Sequence, residues 1–110
     1  MDLQDFARSL DLIEVTSLKK DILIKGVYIG DLLSIVMAKA KENFAWITIQ
    51  THINIVAVAE LLELSCIIVV ENMEIEQDTL DKAKELNMPI FKSKESAYTV
   101  ACKLHELGIK

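Results

Sequence analysis

A strand that runs straight into a helix apolar around most of its circumference leaves a chain few folds to choose from, and residues 44–65 encode that pair. Phe44-Ala45-Trp46-Ile47-Thr48-Ile49-Gln50 is rich in β-branched and aromatic residues and predicts a strand. Gln50-Thr51-His52 makes a polar corner. Ile53 to Leu64 is too long and too rich in Ala and Leu for a second strand. It predicts a helix whose polar side chains are only Asn54, Glu60 and Glu63. Such a helix must be covered by more than its own sheet: either it lies centrally in the domain, or a second subunit packs on it.

The rest of the chain alternates in the same way. Leu3, Phe6, Ala7 and Leu10 repeat at helical spacing, and Leu12 to Thr16 predicts a short strand. Ile22 to Ile29 predicts a second strand, with Gly26 a bulge or a point of close approach. Gly30-Asp31 ends it, and Asp31 is placed to cap a helix reaching Glu42 that is apolar over a wide arc. Cys66 to Val70 reads as a strand covered on both faces. Asp78 is the expected cap of an ordinary surface helix with Leu80, Ala83 and Leu86 as its stripe. Met88-Pro89 turns the chain into a short strand, Ile90-Phe91. Ser93 then starts a last helix that Gly108 ends. This alternation predicts one domain over residues 1–110, a three-layer α/β/α sandwich with a mainly parallel sheet of four to five strands.

Charge and composition exclude several roles. A net charge of -5 speaks against nucleic acid as a partner, and equally against an anionic membrane surface. No apolar run reaches the roughly 20 residues of a membrane span, and the acidic start, Met1 to Asp5, lacks the character of a signal peptide. The expected location is cytoplasmic. There Cys66 and Cys102 read most simply as two buried thiols, with a disulfide the alternative. An apolar fraction of 52% in so small a domain points to a subunit interface. The apolar arcs of the helices at 31–42 and 53–64 make those two the expected seam of a homodimer, with Val58 an outward-facing residue of it.

Catalytic signatures are missing. The glycines, Gly26, Gly30 and Gly108, assemble neither G-x-G-x-x-G nor a P-loop, which argues against a kinase or a Rossmann oxidoreductase. His52, His105, Cys66 and Cys102 have no metal-ligand spacing, and no nucleophile is paired with a base. No enzyme activity and no metal are expected. The remaining candidate is the corner after the central strand, because ligands of open α/β sheets sit at such crevices. Thr51 is placed to cap the helix, leaving Gln50, His52 and Asn54 as donors beside free backbone N–H groups. Gly30, Asp31 and Ser34 would join them from the neighbouring helix start if the two strands are parallel. Simple capping accounts for the same residues.

Two stretches carry a resemblance. Gly26-Val27-Tyr28-Ile29-Gly30-Asp31-Leu32-Leu33-Ser34-Ile35-Val36-Met37 and Trp46-Ile47-Thr48-Ile49-Gln50-Thr51-His52-Ile53-Asn54-Ile55-Val56-Ala57-Val58-Ala59 resemble the DRTGG-domain family, in particular its stand-alone versions in anaerobic bacteria. The likeness continues through Met88-Pro89-Ile90 and Ser96-Ala97-Tyr98 to Leu107-Gly108-Ile109. It implies a three-layer α/β fold similar to the N-terminal domain of HPr kinase/phosphorylase, and a regulatory or assembly module that is often dimeric. Related domains lie beside CBS domains in nucleotide-regulated pyrophosphatases, so an adenine nucleotide or other phosphorylated metabolite is the implied ligand. A protein-interaction subunit of a larger metabolic or redox complex is the alternative. The chain departs from the family where it matters for a ligand. Thr51-His52 stands where many members have Asp-Arg, and Val70-Glu71-Asn72 stands near the Thr-Gly-Gly turn.

Overall fold

Apolar runs too short for helices become strands, and the longer amphipathic runs between them become their crossovers. In the computed structural model, which describes residues 1–110, the order is α1 (Leu3–Ser9), β1 (Ile13–Thr16), β2 (Gly26–Ile29), α2 (Leu33–Lys39), β3 (Phe44–Thr48), α3 (Asn54–Leu61), β4 (Cys66–Val69), α4 (Gln77–Leu86), β5 (Ile90–Lys92) and α5 (Ala97–Glu106). The five strands form one sheet in the order β1-β5-β4-β3-β2. Strands β2 to β5 are parallel to their neighbours, and β1 runs antiparallel along β5. The expected three-layer α/β architecture with a mainly parallel sheet is therefore the one that forms.

Winding from β2 to β5 always steps the same way across the sheet, and it leaves α2, α3 and α4 on one face. They pack Val36, Ile55, Val56, Ala59 and Ala83 onto Trp46, Ile67, Val69 and Ile90. Helices α1 and α5 cover the other face, with Leu3, Phe6, Leu10, Val100 and Leu104 on Ala45, Ile47, Cys66, Ile68 and Phe91. Phe6 and Phe91 meet edge to face at 5.5 Å. Every residue of β4 is buried, as its unbroken apolar run predicts. The thiol of Cys66 lies wholly inside, and burial pushes its pKa up against the smaller opposing pull of Lys19. Both cysteines are free, but Cys102 is only half-buried, so the expectation of two buried thiols holds for Cys66 alone.

The packing corrects several sequence expectations. Helix α3 lies between α2 and α4, so its wide apolar arc is covered by its own chain. Val58, expected to face outward, is buried with Ile55, Val56 and Ala59. The second strand begins at Gly26 rather than Ile22. Residues 22–25 run outside the ladder, and the backbone of Met1 and Asp2 pairs with Asp21 and Ile22 there. Gly26 is a close approach and not a bulge, because a Cβ there would meet the Phe44 ring at 2.6 Å. The last helix starts from a Ser96 cap instead of Ser93, and α4 starts at Gln77 without a side-chain cap from Asp78.

One side chain closes the join between the antiparallel and parallel parts of the sheet. The ladder between β1 and β5 slips between Glu14 and Thr16. Thr16, 3% exposed, fills the gap: its Oγ1 donates to Met88 O at 2.7 Å and accepts from Ile90 N at 3.0 Å. Replacing Thr16 with Val keeps the shape and strands both backbone groups. Urea unfolding followed by Trp46 fluorescence should show a loss of about 1–3 kcal/mol. A loss under about 0.5 kcal/mol would mean that water takes over both bonds.

Candidate functional site

Because β2 and β3 are parallel, the loops that leave them meet at the same sheet edge. The meeting is closer than the sequence suggests, and one carboxylate makes it. Asp31 does not cap α2. Its Oδ1 accepts from Thr48 Oγ1 at 2.7 Å and from Ile49 N at 2.9 Å, across the gap to the end of β3. Gln50 returns the contact, its side-chain amide donating to Asp31 O at 3.0 Å. Beneath them the buried Trp46 Nε1 donates to Gly30 O at 2.8 Å. Gly30, Asp31 and Gln50 are thus brought together by direct hydrogen bonds. The signals for this cluster lie in Thr48 and Trp46, whose polar atoms face the β2–α2 loop, and neither was among the expected site residues.

The remaining expected residues do other work. Thr51 is not the helix cap: its carbonyl accepts from the fully buried Thr79 of α4 at 2.8 Å, which ties the corner to the next crossover helix. His52 takes the capping part, with Nδ1 accepting from Asn54 N at 3.3 Å and its carbonyl accepting from Ile55 N. Asn54 is the exposed first residue of α3, and Ser34 is exposed in the first turn of α2. Leu32 stands at the cap position of α2 and offers no side-chain bond. Of the donors expected to be free, the Gln50 side-chain amide is engaged within the corner, and the exposed Asn54 side chain is not.

Two features complete this edge of the sheet. Glu71 and Asn72, after β4, both have left-handed backbones, with φ of 62° and 54°. Their N–H groups donate to Glu95 O and Ser93 O, stitching the β4–α4 loop to the β5–α5 loop. The position near which the resemblance puts two glycines therefore has a glycine-type conformation built from other residues. The clefts of the surface lie elsewhere. One of about 310 Å³ opens at the opposite edge between Lys19, Glu42, Glu60, Glu63 and Ser65, and another of about 320 Å³ lies beside Thr16, Leu18 and Lys84. No group of His, Cys, Asp and Glu is placed to hold a metal ion. On α5, Tyr98 is exposed, and the Cys102 side chain one turn away raises the phenol pKa.

Comparison with known proteins gives a family and a fold. Residues 35–107 match the DRTGG domain. The fold is similar to a crystal structure of the CBS and DRTGG domains of the regulatory region of Clostridium perfringens pyrophosphatase, which is complexed with the activator diadenosine tetraphosphate. The TM-score is 0.73 at 14% identity, covering 94% of this chain and 45% of that one. This chain thus spans less than half the length of that regulatory-region chain. No curated protein shows significant sequence similarity to it.

The Asp31 clamp is testable as an element of stability. Asp31→Ala removes the acceptor for the buried Thr48 hydroxyl and for Ile49 N, and should cost about 1–3 kcal/mol in urea unfolding. Asp31→Asn keeps one acceptor oxygen and should cost less. Loss of the weaker His52 cap, in His52→Ala, should cost about 0.5–1 kcal/mol. Equal effects of Asp31→Ala and His52→Ala would show that the clamp adds nothing beyond a local cap.

Proposed function

The chain belongs to the DRTGG domain family, and we propose that it is a non-catalytic regulatory or assembly module that acts as a homodimer. The observation that carries this reading is the margin formed by β2 and α2. Ile29 (49% exposed), Leu32 (61%), Ile35 (46%), Met37 (45%) and Ile49 (44%) are all open to solvent around one end of the sheet. Other exposed aliphatic residues, such as Ile13, Leu18, Leu23 and Leu61, lie scattered over other elements and loops, whereas these five share one end of the sheet. Strand β2 is also a sheet edge, and it carries no charged side chain along Gly26–Ile29. Open apolar edges of this kind favour association. The seam first expected at residues 31–42 and 53–64 is retained in this proposal for α2, while α3 contributes little beyond its exposed Leu61.

The non-catalytic part of the reading rests on chemistry. The phosphate-binding glycine loops are missing from the sequence. The Cys66 thiol is held protonated in the core, where it is a poor nucleophile. The histidines are not paired with a carboxylate: His52 caps a helix, and His105 is exposed near the end of α5. A second reading, an adenine-nucleotide sensor, is favoured by the diadenosine tetraphosphate bound to the similar pyrophosphatase region. No helix is long and apolar enough to cross a membrane.

Sedimentation equilibrium tests the dimer. The wild-type chain of 12.4 kDa should sediment at twice that mass at micromolar concentration. Ile35→Glu changes an exposed residue, so the fold should persist while burial of an unpaired carboxylate in the seam drives the dimer apart. A wild-type monomer at 100 micromolar, or a dimer indifferent to Ile35→Glu and Leu32→Glu, would remove the proposal.

A further inference from the structure

The free edge of β2 constrains how two copies of this chain can meet. Strand β3 presents Phe44 O and Thr48 O to the β4 side, where they accept from Ser65 N and Val70 N. Its alternate residues, Ala45 and Ile47, therefore face β2, and they stand level with Val27 and Ile29. In a parallel ladder such a residue bonds to the two neighbours of its level partner. Accordingly Ile47 O accepts from Gly30 N at 3.1 Å. Gly26, Tyr28 and Gly30 thus turn their backbone groups inward to β3. Val27 and Ile29 turn theirs outward at the end of the sheet, where no strand of the chain meets them.

We propose that β2 pairs antiparallel with β2 of a second copy, about a two-fold axis through Tyr28, joining two five-stranded sheets into one. This rests on the homodimer reading and gives it a register. About that axis, Val27 of each copy lies opposite Ile29 of the other, and each such pair exchanges both of its outward N–H···O bonds. Tyr28 meets Tyr28 between them as the closer, non-hydrogen-bonded pair, an aromatic cross-strand contact. Gly26 falls opposite Gly30, which leaves room for the rings. The Tyr28 ring already lies over Gly30, 2.9 Å from where a Cβ would stand.

Charge fits the same register. Lys25 falls opposite Asp31; both are exposed, and Lys25 has no ion pair within its own chain. Moving the axis to Val27 would set Lys25 against Ile29, and moving it to Ile29 would set Asp31 against Val27. Helix α2 lies on the face of the sheet that carries Tyr28. The two-fold keeps both α2 helices on one face of the joined sheet, with the exposed Leu32 and Ile35 among their side chains. The other edge strand, β1, is less suited to pairing, since it carries Glu14 and its ladder is irregular.

Isotope-filtered NOE spectroscopy on an equal mixture of ¹³C,¹⁵N-labelled and unlabelled full chain reads the register. Contacts between copies should join Tyr28 Hα to Tyr28 Hα, and the amide proton of Val27 to that of Ile29. Val27→Pro removes an outward N–H that β3 does not use, so the fold should persist. The dimer dissociation constant should rise about tenfold or more, because each copy loses a bond across the seam. A dimer whose contacts between copies lie outside residues 25–31 overturns the strand pairing and leaves the homodimer standing. So does a folded Val27→Pro chain that dimerises as tightly as the wild type. A wild-type chain that stays monomeric at the concentrations of the spectrum overturns both.

Discussion

A parallel sheet wound steadily in one direction sends all its crossover helices to one face, and the architecture of this protein follows from that constraint. Three helices, α2, α3 and α4, crowd the face above β2 to β5, and the middle one is enclosed by its neighbours. The other face is left to α1 and α5, the elements at the two ends of the chain. The sheet ends on the antiparallel β1 at one edge, joined through the Thr16 hydroxyl, and on the uncharged β2 at the other. The apolar residues exposed together at β2 and α2 motivate a protein-interaction role.

The corner at the C-terminal edge illustrates how a site can be assembled geometrically without the chemistry of a site. Asp31, Thr48, Ile49 and Gln50 converge because parallel strands end together. What converges is a carboxylate with its own donors, and it satisfies itself. His52 spends Nδ1 as an acceptor on the first N–H of α3, and in that arrangement the same nitrogen cannot carry a proton toward an anion. The corner is best understood as the clamp that holds β2–α2 against β3–α3. Through it the exposed face of α2 is held rigidly on the sheet. The clefts of the molecule, by contrast, open at other edges and do not include these residues.

Much of the fold was legible because its strongest signals are local. The unbroken run Cys66 to Val70, the aromatic and β-branched run at Phe44 and the stripe of α4 each specify an element with little help from the rest of the chain. Element ends were less legible, because they depend on where a polar side chain finds its partner. Asp31 has the right position for a cap, but the tertiary alternative at Thr48 and Ile49 wins it. Ser96 caps α5, while Ser93, three residues earlier, accepts from Glu95 N in the turn before it. Val58 looked outward because an apolar circumference does not say which side a neighbouring helix will cover. At the corner, the residues could be named from sequence, but the direction of their hydrogen bonds could not. That direction decides whether they hold a ligand or one another.

The central proposal is that this module self-associates through an apolar margin at β2 and α2. Amide hydrogen exchange at low and high protein concentration addresses it directly, since burial in a self-associated interface protects amides only when chains meet. Protection across residues 26–39 should rise with concentration while that of α4 stays constant. Exchange across residues 26–39 that is independent of concentration, from the nanomolar range to the highest soluble concentration, would contradict the account.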